Sequence, residues 1–167
     1  MVIGLAEAWW ARVRDQPVES QDRLAAASNL SNAIFARGKH AEAERMQREL
    51  LDVQQRVLGP EHPNTLLTTG SLADSLSRQG KHAEAEQMQR ELLDVQRRVL
   101  GPEHPHTLLT TGNLASSLSG QGKHAEAERM QRELLDVDRR VLGPEHPDTL
   151  VGIGNLARTV GRLCKHA

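Results

Sequence analysis

The chain has 167 residues with Lys+Arg 21 against Asp+Glu 22, a formal net charge of -1, so no global field recruits phosphate backbones or anionic lipid. Hydrophobic content is 38% and aromatic content 2%, so a core must be built from Leu, Val, Ala and Met, which suits thin helical layers. A single cysteine, Cys164, excludes an internal disulfide framework and a multi-cysteine zinc site.

The N-terminal stretch MVIGLAEAWWARVRD carries Glu7 and Arg12 and lacks an apolar run long enough for a signal peptide or a membrane span. The expectation is a soluble, intracellular (cytoplasmic) chain with neither membrane nor nucleic acid as partner. Ile3 to Asp15 reads as a short helix with Leu5, Ala8, Trp9 and Val13 on roughly one side, closed by Pro17. Trp9 and Trp10 lie in the one segment that does not repeat, and are expected to seal the open end of the repeat array.

From there the chain repeats. Gly59 to Leu100 returns as Gly101 to Leu142 with six changes, a period of 42 residues. GKHAEAERMQRELLDVQQRVL already fills Gly38 to Leu58, and GPEHPDTL reopens at Gly143. A unit this short cannot bury an apolar face alone, so neighbours stacked at a fixed period must do it for each other. Ser20 to Ala36, from a Ser20 N-cap to a left-handed Gly38, is the first helix of repeat one, and Lys39 to Leu58 the second. In repeat two, Asn64 to Gln79 places Leu66, Thr69, Leu72, Ala73 and Leu76 within roughly 120° of arc, the expected buried stripe. Gly80 breaks the chain. His82 to Leu100 then sets Ala85, Met88, Leu92, Val95 and Val99 on one face, with Glu86–Arg90 and Asp94–Arg98 as acid-first pairs four apart. Gly101 and Pro102 stop this helix, and His104-Pro105 leads into the next. The organisation expected is a capping helix over 1–16, repeats over 17–58, 59–100 and 101–142, and the first helix of a fourth repeat over 143–167. In that last segment Cys164 stands where the other repeats have glycine, and the array is read as cut short.

Leu72 and Ala73, then Leu76, Gly80 and Ala85, fall at the spacing of the tetratricopeptide repeat, L-G/A-x2-Y-x3-G-x4-A. With a long second helix followed by L-G-P-E-H-P-x-T, the chain resembles the 42-residue repeats of kinesin light chains and of many bacterial and algal repeat proteins. The resemblance covers Ser20 to Ala167. The family's aromatic positions hold Thr69, Leu76, His82 and Gln89 here, so packing must rely on aliphatic side chains. What the resemblance implies is an all-α, right-handed solenoid of antiparallel helix pairs, about eight helices, whose first helices line a concave groove that grips peptide segments of partner proteins.

Comparison among the copies locates a candidate site. Repeats two and three differ at Asn64/His106, Ser71/Asn113, Asp74/Ser116, Arg78/Gly120, Gln87/Arg129 and Gln96/Asp138. Positions 71, 74 and 78 lie within roughly 60° of arc, nearly opposite the apolar stripe. Neutral drift on an exposed face accounts for such changes, and so does a groove tuned to a ligand. The resemblance aligns Asn29, Ser71, Asn113 and Asn155 with the family's groove asparagine, an amide able to donate and accept toward an extended backbone. Around it fall Asn32, Asp74, Ser116 and Arg158, then Arg78 and Arg162, giving a small-residue polar groove with modest positive charge toward repeat four.

Eight histidines invite a metal reading, yet equivalent residues of stacked helices stand about 8–10 Å apart or more, whereas zinc needs nitrogens near about 2.0–2.1 Å. Loop and interhelix packing is the expected role. Gly120 to His124, GQGKH, lacks the phosphate-loop pattern and connects two helices. Cys164 has His166 nearby but no orienting third group. No catalytic residue, metal or cofactor is expected. Two functions remain: a non-catalytic scaffold binding a peptide segment of a partner in the groove, and a self-associating module. In the second, the lone helices at the two ends are complementary, and Leu150, Leu156 and Val160, with Trp9 and Trp10, face water unless another copy covers them.

Overall fold

A computed structural model describes residues 21–166, and within them the chain forms seven helices and no strand. These are α1 (Gln21–Ala36), α2 (His40–Val57), α3 (Pro63–Arg78), α4 (His82–Val99), α5 (Pro105–Gly120), α6 (His124–Val141) and α7 (Pro147–His166). The helix expected over Ile3 to Asp15, with Trp9 and Trp10, lies outside the described residues, as does the Ser20 cap. Two compact bodies divide the chain, one ending at Gln79 and one beginning at Gly80. In the first, α1 packs on α2 and α2 on α3; in the second, α4 packs on α5, α5 on α6 and α6 on α7.

The GPEHPxT segment sets where each first helix starts. Gly101 adopts φ +96 after α4, a left-handed turn that an L side chain resists. Its carbonyl then accepts the Thr107 hydroxyl at 2.9 Å. His104 is the N-cap, its Nδ1 accepting the His106 amide at 3.2 Å, and Pro105 opens the helix where its missing N–H costs nothing. The same contacts recur with Thr65 on Gly59 and Thr149 on Gly143, and with His62 and His146 as caps. Three of the eight histidines are thus helix caps.

The core is aliphatic. In the first body Leu24, Ala27 and Ile34 of α1 meet Ala43, Met46, Leu50 and Val53 of α2, with Phe35 packed at the edge. In the second, Leu93 meets Leu114, Leu118 and Ala127. Truncating one such leucine to alanine costs about 2–5 kcal/mol. The buried stripes differ in part from those expected. On α3, Leu66, Leu72, Ala73 and Leu76 are buried, but Thr69 is half-buried, while Thr65, Thr68 and Ser75 go inside. On α4, Val99 is 43% exposed, and Glu86, Gln89, Leu93 and Gln96 share the interior with Ala85 and Leu92. The expectation counted only apolar letters, whereas polar side chains pack inward as well, some with partners and some, such as Gln89, without.

Glu86 is the clearest of these. Its carboxylate accepts Lys123 Nζ at 2.7 Å, Gln121 Nε2 at 2.6 Å and Arg90 Nε at 3.0 Å, and Arg90 continues to Glu126 at 2.7 Å. Gln121 also donates to the His82 carbonyl, so the start of α4 is tied to the turn between α5 and α6. In the first body, Gln79 Nε2 ties to Glu44 and the His40 carbonyl in the same way. In α7 the corresponding positions are Leu163 and Cys164 in place of Gln-Gly, and the helix runs on to His166 instead of turning.

The Lys123, Gln121 and Arg90 donors hold Glu86 down at about 2 from an ordinary 4.5. A depressed carboxylate contributes stability that is present above 4.5 and lost as pH falls toward about 2. On acidification across that window the wild type is expected to lose on the order of 2 kcal/mol more than Glu86→Gln. Urea midpoints at a series of pH values check this; parallel curves for the two proteins would reject the role given to Glu86.

Candidate binding cleft

Within the second body, α5, α6 and α7 enclose an open cleft of about 640 Å³. One wall is α5 (Leu109, Gly112, Asn113, Ser116), the other α7 (Asp148, Val151, Gly152, Asn155), and α6 supplies the floor through Leu134, Asp138 and Val141. The helices take this arrangement because α5 and α7 both pack on α6 and begin with the same Gly-Pro-Glu-His-Pro turn. Leu109 and Val151 are each 61% exposed, an unusual apolar outlay on two facing walls. Asn113 and Asn155 are half-buried, one on each wall.

Of the residues anticipated for the groove, Asn113, Ser116 and Asn155 line this cleft. Ser116 is exposed and donates to the Gly112 carbonyl at 3.0 Å. Arg158 is exposed on α7 and does not line the cleft, and Arg162 Nη1 donates to Ser119 Oγ at 3.3 Å. In the first body, Asn29 and Asn32 are exposed on α1. On α3, Ser71 and Asp74 are half-buried, and Arg78 Nε stands 3.8 Å from Asp74. Burial raises the Asp74 carboxyl above its ordinary value, against the opposing charges of Arg78 and His40. At Gly120, the counterpart of Arg78, a Cβ would meet His82 Nε2 at 2.6 Å. Leu150 is exposed on α7, while Leu156 and Val160 are half-buried there.

The charge of this cleft differs from the modest positive charge expected for the groove. Among the described residues no lysine or arginine lines the cleft, and three carboxylates do: Glu103, Asp138 and Asp148. Arg158 and Arg162 sit further along α7, and the decisive charge comes from a second helix, whereas the expectation rested on first helices alone. The signal was present among the copies, where Asp138 replaces Gln54 and Gln96 and Gly152 replaces Thr68 and Thr110. Burial, reinforced by the Asp148 charge and opposed by His146, raises the Asp138 carboxyl. Among the described residues, no three His, Cys, Asp or Glu side chains gather to hold a metal ion. No described helix is long and apolar enough to cross a membrane.

A carboxyl raised by folding contributes its stability below its unfolded value and loses it as pH rises through the folded one, so ionised Asp138 weakens the fold near neutrality. Asp138→Gln, which restores the residue of the other copies, is expected to stabilise the chain by about 0.5–1 kcal/mol near neutral pH. The gain should vanish below pH 3.8, the ordinary aspartate value. Denaturant midpoints of both proteins at the two pH values give the answer, and a less stable variant near neutrality would contradict it.

A tetratricopeptide repeat family model matches residues 22–98, 69–139 and 107–167. Two crystal structures of a Podosopora anserina protein, described as a kinesin light chain candidate with nearly identical TPR-like repeats, align over 98% of this chain at 26% identity. Their TM-scores are 0.80, for a point variant, and 0.77, and the alignments cover 77% and 78% of those chains. BtubC (BKLC) from P. vanneervenii shares the fold at 20% identity, with a TM-score of 0.73 over 94% of this chain and 63% of that one. No curated protein matches in sequence. With these matches running along the same 42-residue helix pairs that build both bodies, the chain belongs to the tetratricopeptide repeat family, in its kinesin-light-chain-like form.

Proposed function

We propose that the chain is a non-catalytic interaction module, and that the cleft between α5, α6 and α7 receives a segment of a partner protein. Tetratricopeptide repeats generally mediate protein–protein interaction, and the observation that supports this site is the pairing of amides with apolar walls. Asn113 and Asn155 present donors and acceptors from opposite walls, while Leu109 and Val151 stay exposed between them and solvent. An extended peptide backbone needs partners for its own N–H and C=O groups and covers apolar area as it binds. Nothing in the cleft is arranged as a nucleophile with its base. Asn113→Ala combined with Asn155→Ala is expected to weaken a cleft-bound peptide by about tenfold or more, at an unchanged melting temperature. Calorimetric titration with peptides selected on the wild-type chain measures this, and retained affinity in the double variant would move the site elsewhere.

A second reading is favoured by one side of α7. Leu150 at 55% exposure and Ile153 at 39% continue into exposed Gly154, Ala157, Gly161 and Cys164 at three- and four-residue spacing, a stripe of apolar and small residues. The equivalent Leu66 and Ala73 of α3 and Ala115 of α5 are buried. Such a face suits another copy of the chain, met through its own terminal helix. Light scattering under reducing conditions should then show mass rising with concentration, and Leu150→Asp should hold the chain at 18.5 kDa. A wild type that stays at that mass throughout would eliminate self-association.

A further inference from the structure

Asp138 differs from every other charged group buried in the second body. It is 6% exposed and lines the cleft, and its carboxylate receives no hydrogen bond from any described residue; only the charges of Asp148 and His146 act on it. Glu86, by contrast, is surrounded by three donors. With no protein donor, this carboxylate is left to face the cleft and whatever cation enters it.

The internal copies show what distinguishes the place. Asp138 stands where the other repeats have Gln54 and Gln96, and Asp148 where they have Asn64 and His106. Gly152 stands where they have Thr68 and Thr110. A Cβ on Gly152 would lie 3.8 Å from Asp138 Oδ2, so the absent threonine side chain leaves its room beside the carboxylate. Two changes add negative charge and the third opens space next to it.

The remaining charges facing the cleft do not answer Asp138. Glu103 is paired with Arg140 at 2.6 Å. His146 Nδ1 accepts the Asp148 amide at 3.2 Å and stands 3.7 Å from the Asp148 carboxylate, so it is engaged with Asp148. His106 is exposed at the rim. A bare metal ion fits poorly, because three suitable donors do not gather among the described residues. A cation carried on a hydrocarbon stem fits better, since Leu109, Val141 and Val151 offer apolar walls that such stems cover.

We infer that this cleft is a receptor for a partner segment that inserts an arginine or lysine side chain, its stem against Leu109, Val141 and Val151 and its cationic head beside Gly152 against Asp138. Asp148 reinforces the field at the mouth. This deepens the interaction-module reading and rests on it. Binding would supply the countercharge that the free chain lacks.

An unbiased library of 12-residue peptides, selected on the whole chain and then measured individually against it, tests the inference. The expected result is enrichment of peptides carrying arginine or lysine. Each should bind about tenfold or more weakly to Asp138→Gln and to Gly152→Thr, and replacing its cation by citrulline or norleucine should reproduce the loss. Both variants carry residues that the other repeats already hold, and Asp148→Asn, an exposed change, gives a smaller loss as a second readout. Peptides that bind through Asn113 and Asn155 without a cation, and equally well to Asp138→Gln, would overturn the inference while leaving the interaction site in place. A library that yields no binder would overturn both. Concentration-dependent mass abolished by Asp138→Gln would place the cation on a second copy, and so overturn a separate partner.

Discussion

Each return of this chain hangs on one contact, a threonine hydroxyl donated to the carbonyl of a left-handed glycine six residues earlier. Gly59 and Thr65, Gly101 and Thr107, and Gly143 and Thr149 repeat it at 2.8 to 2.9 Å. The glycine ends the long helix, the threonine lies one turn inside the next, and the histidine and proline between them cap and open that helix. Every first helix therefore starts at the same place on the preceding second helix. Apolar faces that are individually too small to fold meet in constant register as a result. A polar tie of glutamine to glutamate fastens the other end of the pair, Gln79 to Glu44 and Gln121 to Glu86. The scaffold is thus held at both ends by side chains that read as surface residues in the sequence.

A scaffold copied so closely turns each departure into a local experiment. Gln87/Arg129 changes little, because both residues are exposed, and at Gly120 the His82 ring occupies the room of a Cβ. The departures around α6 and α7 act together. Gln to Asp at 138 and Thr to Gly at 152 change charge and volume at neighbouring points. Glu86 and Asp138 then mark two uses of a buried carboxylate: the first is enclosed by donors and strengthens the fold, the second is left without them and weakens it. Tension of the second kind is how proteins carry binding sites, since a group satisfied internally has little to offer a ligand.

The cleft and the exposed stripe of α7 address different partners by different physics. Leu150, Ile153 and Ala157 make a flat apolar strip without polar anchors, which suits helix packing. Leu109 and Val151 flank amides and carboxylates in a concavity, which suits a segment that must be read for both shape and charge. The two lie on one helix and are compatible with simultaneous occupation by a partner and a second copy.

The 42-residue period, the Gly and His-Pro punctuation and the spacing of Leu72, Ala73, Leu76 and Ala85 determined the helix pairs and the family by themselves, because these are local rules of turn and helix geometry. They also placed Asn113, Ser116 and Asn155 on a common face. What the sequence did not determine was which polar residues go inside. Gln89, Gln96 and Glu86 alternate with leucines at helical spacing, and whether such a side chain is solvated or enclosed depends on the helix that packs over it, with donors arriving from tens of residues away in the case of Glu86. The sign of the cleft was decided the same way. Asp138 belongs to a second helix and Gly152 to a first helix of the next repeat, so their joint effect exists only once α6 and α7 pack and the carboxylate is partly desolvated without gaining a donor.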